Sequence, residues 1–149
     1  MTPNTKPEHC KACGRAFPRS WCAYCSNDCR HAPAPAVYRF VAPDGRVYVD
    51  SRADVRKREQ IGMLPSNPWI AAALALYPAE TWTFELPRTF PPGYPAEPRL
   101  LAEQRYIERY RSWDPARGFN ANPADPNSAS AACREAYRQR VAACLAWRK

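Results

Sequence analysis

Residues 37–50 read VYRFVAPDGRVYVD, two runs of strand-forming residues joined by a tight turn. Val, Tyr and Phe favour strands, and the Asp44-Gly45 pair is typical of a turn that closes a β-hairpin. We therefore expect an antiparallel hairpin here, and the regions that follow it indicate how a domain is built on it.

Past the hairpin, capping and periodicity signals predict the order ββααβα. Asp54 is the expected N-cap of a short helix, and Asn67 followed by a proline is expected to begin a second helix. The alternating run 82–86 predicts a third strand, and helical spacing over residues 100–113 predicts a long closing helix after a proline-rich loop. The expected fold class is α+β, with a small three-stranded antiparallel sheet flanked by helices.

Proline-rich segments divide the chain into four parts. Residues 1–31 hold most of the cysteines, residues 32–36 form a stiff Pro/Ala linker, and residues 37–125 form the central domain. Residues 126–149 contain a basic amphipathic helix from about residue 130 to 147, and its apolar stripe is expected to pack against a neighbouring surface. The stripe consists of Cys133, Tyr137, Val141, Cys144 and Leu145.

Length and composition narrow the class of protein. A chain of 149 residues has room for one ordinary domain, or for a small domain beside a metal-bound module. A hydrophobic content of 46% excludes wholesale disorder, and the longest apolar run, residues 69–77, is too short to cross a bilayer. The N-terminal residues lack the apolar core of a signal peptide, so the expected location is the cytoplasm, where thiols stay reduced.

The charge is uneven along the chain. A net charge of +8 favours a polyanionic partner, with nucleic acid ahead of an anionic membrane surface. The charged side chains sum to +3 over residues 1–31, +1 over residues 32–125 and +4 over residues 126–149. The two ends are therefore expected to hold the substrate, DNA, beside a nearly neutral central domain.

Five of the seven cysteines fall between residues 10 and 29. Two close pairs of thiolates can surround one tetrahedral Zn²⁺, and the stretch from residue 10 to 30 resembles a treble-clef zinc finger with a CxxCG knuckle followed by YCSxxCR. The metal is expected to be structural, because so short a segment cannot bury a core of its own. The expected zinc ligands are Cys10, Cys13, Cys25 and Cys29.

A second arrangement of the zinc ligands stays open. Cys22 and Cys25 form a CxxC pair of their own, which would leave Cys29 or His31 as a spare ligand.

Three side chains of the central domain are candidates for phosphate chemistry. Tyr38 and Tyr48 lie at related positions on neighbouring strands, and Arg58 follows on the first helix. Hydrolysis of a phosphodiester needs a base for water, positive charge on the phosphorane and usually a hard cation held by a carboxylate. Glu103, on the inward side of the closing helix, can supply the carboxylate. Taken singly, each tyrosine also fits a core aromatic residue on a strand.

From about residue 37 to 122 the chain resembles the GIY-YIG nuclease family. The first family motif is similar to Val37-Tyr38 and the second to Tyr48-Val-Asp50, with Arg58 in the place of the helix arginine. Glu103 resembles the metal-binding glutamate, and Asn120 in GFN resembles the late asparagine.

This resemblance implies Mg²⁺- or Mn²⁺-dependent cleavage of DNA with a single metal ion. It implies that Tyr48 or Tyr38 activates or orients the water and that Arg58 stabilises the phosphorane. It also implies that Glu103 carries the metal and that Asn120 braces the site.

The chain departs from the family pattern at three positions. Asp50 and Ala36 stand where the motifs have glycine, and Gly62 stands where many members have a histidine after the helix arginine. Asp50 is either a second metal ligand beside Glu103 or a charge that repels phosphate. Two alternatives therefore stay open: an inactive nucleic-acid-binding module with a nuclease-like fold, and a zinc-stapled protein-interaction module.

Overall fold

The computed structural model describes residues 8–10, 16–17 and 34–147. Of the expected zinc ligands only Cys10 is among them, and it is buried. The other three ligands and the alternatives lie outside the described residues: Cys13, Cys25, Cys29, Cys22 and His31.

The described strands form two antiparallel sheets. The small one pairs β1 (Glu8–His9) with β2 (Ala16–Phe17). The larger one has β3 (Ala36–Val41) in the centre, between β4 (Val47–Arg52) and β5 (Thr83–Thr89). The α+β class with a small three-stranded antiparallel sheet is confirmed.

In the described part of the chain, four helices accompany the sheet. They are α1 (Arg56–Ile61), α2 (Pro68–Leu76), α3 (Ala96–Tyr110) and α4 (Ala131–Trp147), and a single 3₁₀ turn (Ala79–Thr81) precedes β5. None of the helices in the described part of the chain is long and apolar enough to cross a membrane.

The hairpin forms where its turn residues predict it. Gly45 adopts a φ of 90° and donates its N–H to the carbonyl of Ala42 over 2.9 Å. A positive φ is strained for residues that carry a Cβ, so the glycine makes this turn accessible. The resulting register places Tyr38 opposite Asp50 and Phe40 opposite Tyr48.

The third strand runs further than expected, through Pro87. Proline cannot donate to a sheet ladder, but β5 is an edge strand, so its outward backbone needs no partner. The pairing of β5 with β3 also shifts between Val37 and Arg39, which is the irregularity that accommodates the proline.

Helix boundaries follow local capping. The Asn67 side chain accepts a hydrogen bond from the N–H of Ile70 over 2.9 Å, as expected of the N-cap of α2. Helix α1 begins one residue later than Asp54 predicts, although the Asp54 carboxylate still accepts the N–H of Arg56. Helix α3 begins earlier than expected, because Pro98 falls in its first turn, where the missing N–H has no helical partner to lose.

Apolar side chains cover both faces of the sheet. One face packs against α2 and the residues on either side of α1, and the other packs against α3 and the start of α4. The first cluster includes Tyr38, Phe40, Met63, Ile70, Trp82 and Phe119, and the second includes Val37, Val49, Phe90, Ile107 and Cys133. A sheet held between helices on both faces leaves its strand edges as the exposed places where polar groups can meet.

The free edge of β4 is covered by the segment 117–120. The Val47 N–H donates to the Arg117 carbonyl over 3.1 Å, and the Phe119 N–H donates to the Val47 carbonyl over 3.0 Å. Gly118 permits this approach, since a Cβ there would collide with the backbone of Ser112 and the carbonyl of Val47. Covering the edge satisfies backbone groups that would otherwise recruit another strand.

Candidate active site

The candidate side chains meet beside strand β4. Tyr48 and Asp50 are two residues apart on β4, so they lie on the same face of the sheet as Tyr38, which is opposite Asp50. The site is therefore built on the hairpin that the Asp44-Gly45 turn predicts.

Asp50 holds both tyrosine hydroxyls. The Tyr38 hydroxyl donates to Asp50 Oδ2 over 2.9 Å, and the Tyr48 hydroxyl donates to the same oxygen over 3.3 Å. The other oxygen, Oδ1, accepts the backbone N–H of Ser51 over 2.8 Å. A residue that departs from the family pattern is thus the common acceptor of both motif tyrosines.

The two tyrosines differ in accessibility but not in protonation. Tyr38 is fully buried, and desolvation together with the negative charge of Asp50 raises its pKa to about 12. Tyr48 stays partly accessible, and the same two causes raise its pKa further. Arg58 lowers both pKa values without offsetting these effects. Both phenols are therefore protonated at neutral pH.

Glu103 approaches the site from helix α3. Its side chain is buried, and desolvation raises its pKa well above the usual range, followed by hydrogen bonding and charge repulsion from Asp50. Hydrogen bonds from Ser51 oppose this rise in pKa. Two adjoining carboxyl groups repel each other when both are ionised, and a bound cation would reduce this repulsion.

Two arginines add positive charge. Arg58 on α1 is 7% exposed, and its Nε is buried with no hydrogen-bond partner among the described residues. Arg52, at the end of β4, lies on the same face as Tyr38, whose phenol raises the pKa of Arg52, and it remains largely exposed. A buried guanidinium with an unused donor is suited to an incoming anion.

Asn120 supports the backbone of the site instead of facing its chemistry. Its amide oxygen accepts the Val49 N–H over 2.9 Å, and its amide nitrogen donates to the Val49 carbonyl over 2.7 Å. The Asn120 carbonyl in turn accepts Arg140 Nη1 from α4 over 2.6 Å. Asn120 therefore holds β4 from its open edge and links it to the C-terminal helix.

A cavity of about 480 Å³ opens next to these groups. Tyr48, Asp50 and Glu103 form one wall, and side chains of α4 form another. The remaining lining comes mainly from the loop before α2 and from residues 120–124.

A separate groove of about 640 Å³ lies along α1. Arg52, Lys57 and Arg58 line it, together with an Arg56–Asp54 ion pair of 2.7 Å. Arg52 and Lys57 therefore give this groove positive charge next to the buried Arg58.

The arginines of α4 are mostly committed within the protein. Arg140 is buried over the Trp69 ring at 4.8 Å, Arg138 pairs with Glu135 at 3.1 Å, and Arg134 donates to the Ala129 carbonyl. Arg140 thus holds the helix against the domain, whereas Arg134 and Arg138 bond within the helix and the residues just before it.

Sequence reasoning did not assign Arg52, Ser51 or Arg140 to the site. Strand alternation carries a signal for Arg52, because residues 48, 50 and 52 share one face of β4. Arg140 carries no such signal, since its burial depends on how α4 packs against the domain.

The described residues set limits on a metal site. Within residues 8–10, 16–17 and 34–147, no three side chains of His, Cys, Asp or Glu come together as a ligand group. Asp50 and Glu103 nevertheless fit a hard cation such as Mg²⁺, which is often held by only one or two carboxylates and completes its shell with water and phosphate oxygens. Comparison of the chain with models of protein families, with curated proteins and with solved structures found no match.

Proposed function

We propose that the chain is a metal-dependent DNA endonuclease or nickase with a GIY-YIG-type site. One observation carries this proposal: Tyr48, Asp50 and Glu103 line a single cavity, with the guanidinium of Arg58 buried nearby. Hydrolysis of a phosphodiester needs a proton acceptor for water, ligands for a metal ion and positive charge on the phosphorane. The phenol, the carboxyl pair and the guanidinium can supply these.

Asp50 and Glu103 would hold the catalytic cation. A bound Mg²⁺ or Mn²⁺ would polarise the phosphate and neutralise its charge. The raised pKa of Glu103 supports this assignment, because a proton now stabilises the carboxyl pair where a cation would do so instead.

The hydrogen bond from Tyr48 to Asp50 suggests a route for the proton of the attacking water. As water attacks phosphorus, its proton passes to the Tyr48 oxygen while the Tyr48 proton passes to Asp50, and the P–O bond to the leaving sugar oxygen breaks. The leaving oxygen takes a proton from solvent, Asp50 then releases its proton to solvent, and Arg58 stabilises the charge on the phosphorane. The full burial of Tyr38 supports giving this step to Tyr48 and a positioning role to Tyr38.

The groove along α1 supports a nucleic-acid substrate. Arg52 and Lys57 lie beside Arg58 and can contact phosphates that flank the scissile one. With α4 packed against the domain, this groove is a better candidate for holding the backbone than the C-terminal helix.

The cysteine module is proposed to bind one structural Zn²⁺ through Cys10, Cys13, Cys25 and Cys29. Support comes from the buried position of Cys10, directly after β1, which pairs with β2. Metal analysis of the purified full-length chain is expected to find about one zinc per chain. Cys13→Ser should lose it, whereas Cys133→Ala, a buried cysteine packed near Gln104, should keep it.

Cleavage of labelled single- and double-stranded DNA with Mg²⁺ or Mn²⁺ tests the main proposal. Tyr48→Phe, Arg58→Ala and Glu103→Ala should each lower the rate by at least about 100-fold. Matched controls are Tyr77→Phe and Glu97→Ala, which lie away from the cavity and should cleave like the wild type. Wild-type cleavage no faster than that of the three variants would refute the proposal.

One observation favours an inactive nucleic-acid-binding module as a second candidate. The carboxylate of Asp50 accepts hydrogen bonds from both tyrosine hydroxyls, and its negative charge would repel an incoming phosphate. This candidate predicts salt-dependent DNA binding without cleavage, unaffected by Glu103→Ala. Absence of DNA binding even at low salt would favour the zinc-stapled protein-interaction module instead.

A further inference from the structure

The apolar stripe of α4 is only partly used by the core. Cys133 at its start is buried between α3 and the sheet, but Tyr137 and Leu145 are 37% and 59% exposed. Together with Val141 these two side chains line the cavity that contains Tyr48, Asp50 and Glu103. Their spacing of four residues places all three on one face of the helix, turned toward the candidate site.

Contacts of Arg140 and Ser130 hold this apolar wall in position. Arg140 Nη1 donates to the Asn120 carbonyl over 2.6 Å, and the same guanidinium lies over the Trp69 ring at 4.8 Å. At the start of the helix, Ser130 Oγ accepts the N–H of Cys133 over 3.1 Å and donates to Glu108. The wall is thus anchored to the same residue that holds β4.

The rest of the cavity lining mixes apolar and polar side chains, and some of the polar groups are unused. The amides of Asn67 and Asn120 are committed to backbone groups. Ser66 and Asn122 also line the cavity, are exposed, and have side chains without a hydrogen-bond partner among the described residues. An aromatic face on one wall, with free amide and hydroxyl groups elsewhere in the lining, suits a flat heterocycle with polar edges.

We propose that this cavity receives one unpaired nucleobase of the substrate, stacked on Tyr137, so that the enzyme acts on single-stranded or unpaired DNA. The inference rests on the proposed function, which places the scissile phosphate beside Tyr48 and Glu103. The sugar and base attached to that phosphate must then occupy adjoining space, and the part of the same cavity that α4 lines offers such space. A base still paired within a duplex could not enter it without leaving the stack.

Equilibrium binding tests the inference without requiring turnover. Fluorescence anisotropy measures binding to the full-length, zinc-loaded chain, with Ca²⁺ in place of Mg²⁺. Three ligands are compared: a 15-nucleotide dT strand, an abasic backbone of the same length, and the matching dT·dA duplex. Tyr137→Ala should weaken binding of the dT strand by at least about fivefold and leave the abasic backbone unchanged. Tyr137→Phe should restore binding, because it keeps the stacking ring.

Leu76→Ala provides a matched control, as an exposed leucine on α2 that does not line the cavity. Equal losses on the dT strand and the abasic backbone in Tyr137→Ala, or no loss on either, would overturn the inference. So would a concentration-dependent dimer that Leu145→Ala dissolves, because the wall would then be covered by a second copy of the chain.

The outcomes separate this inference from the proposed function. Tight binding of dT through Tyr137 without cleavage of any substrate would refute hydrolysis and keep the base site. Efficient cleavage of duplex DNA that Tyr137→Ala does not alter would refute the base site and keep the nuclease.

Discussion

The hydroxyl of Tyr38 donates a hydrogen bond to Asp50 Oδ2 over 2.9 Å, between two residues that the strand register places directly opposite each other. The same oxygen accepts the Tyr48 hydroxyl over 3.3 Å. One carboxylate oxygen therefore orients both tyrosine hydroxyls, and its charge adds to the rise in their pKa and in that of Glu103.

Asp50→Asn should lower the pKa of both tyrosines, because it removes the negative charge that disfavours the phenolate. The values should stay above the ordinary tyrosine pKa of 10, since burial is the largest cause of the rise and persists in the variant. A titration by NMR with ring-labelled tyrosine resolves the two residues. Asp44→Asn, which alters a carboxylate paired with Arg46 in the turn, is the control and should move neither pKa. Unchanged tyrosine pKa values in Asp50→Asn would contradict the assignment.

Glu103→Gln should change how stability depends on pH. A carboxyl whose pKa is higher in the folded than in the unfolded state stabilises the protein fully below its unfolded pKa, near 4.5, and this contribution is lost as the pH rises toward the folded value. Without divalent metal, the wild type should therefore lose at least about 1 kcal/mol relative to Glu103→Gln between roughly pH 5 and pH 8.

Urea denaturation of both proteins at several pH values measures this difference. Glu97→Gln, on the exposed first turn of the same helix, should track the wild type. Parallel stability curves for the wild type and Glu103→Gln would show that the Glu103 carboxyl is not perturbed.

Arg140→Ala should lower the free energy of unfolding by about 2–4 kcal/mol, because it leaves the Asn120 carbonyl without its donor and empties the space over Trp69. Arg138→Ala, two residues earlier, removes only an exposed ion pair with Glu135 and should cost less than about 1 kcal/mol. Chemical denaturation compares the two. Equal losses of stability in the two variants would contradict the role of Arg140 in holding α4 to the domain.

Gly118→Ala should be among the most damaging single changes in the chain. The added methyl group would collide with the Ser112 backbone and the Val47 carbonyl, neither of which can move without opening the edge of β4. A loss of about 3 kcal/mol or more is expected, with faster amide exchange at Val47 and Phe119. Hydrogen exchange followed by NMR reports these two amides. Gly93→Ala is a useful comparison, since open space surrounds it and only its positive φ opposes the change.

Local chemistry made several elements predictable from the sequence. The Asp44-Gly45 turn and its β-rich flanks predicted the hairpin, and the Asn67-Pro68 pair predicted the start of α2. Each of these signals acts within a few residues, so it depends little on the rest of the fold. The position of Glu103 on the inward face of a helix followed in the same way from periodicity.

Contacts between distant residues were decided only by tertiary structure. The register of the hairpin makes Asp50 a shared acceptor for two phenols. From the sequence, Asp50 could be either a metal ligand or a charge that repels phosphate. The segment around Gly118 covers β4, and Arg140 turns inward, because these groups reach backbone atoms far away along the chain. Sequence pattern alone determined which residues could carry chemistry, whereas desolvation and long-range hydrogen bonding determined their protonation and accessibility, since both depend on what surrounds each group in space.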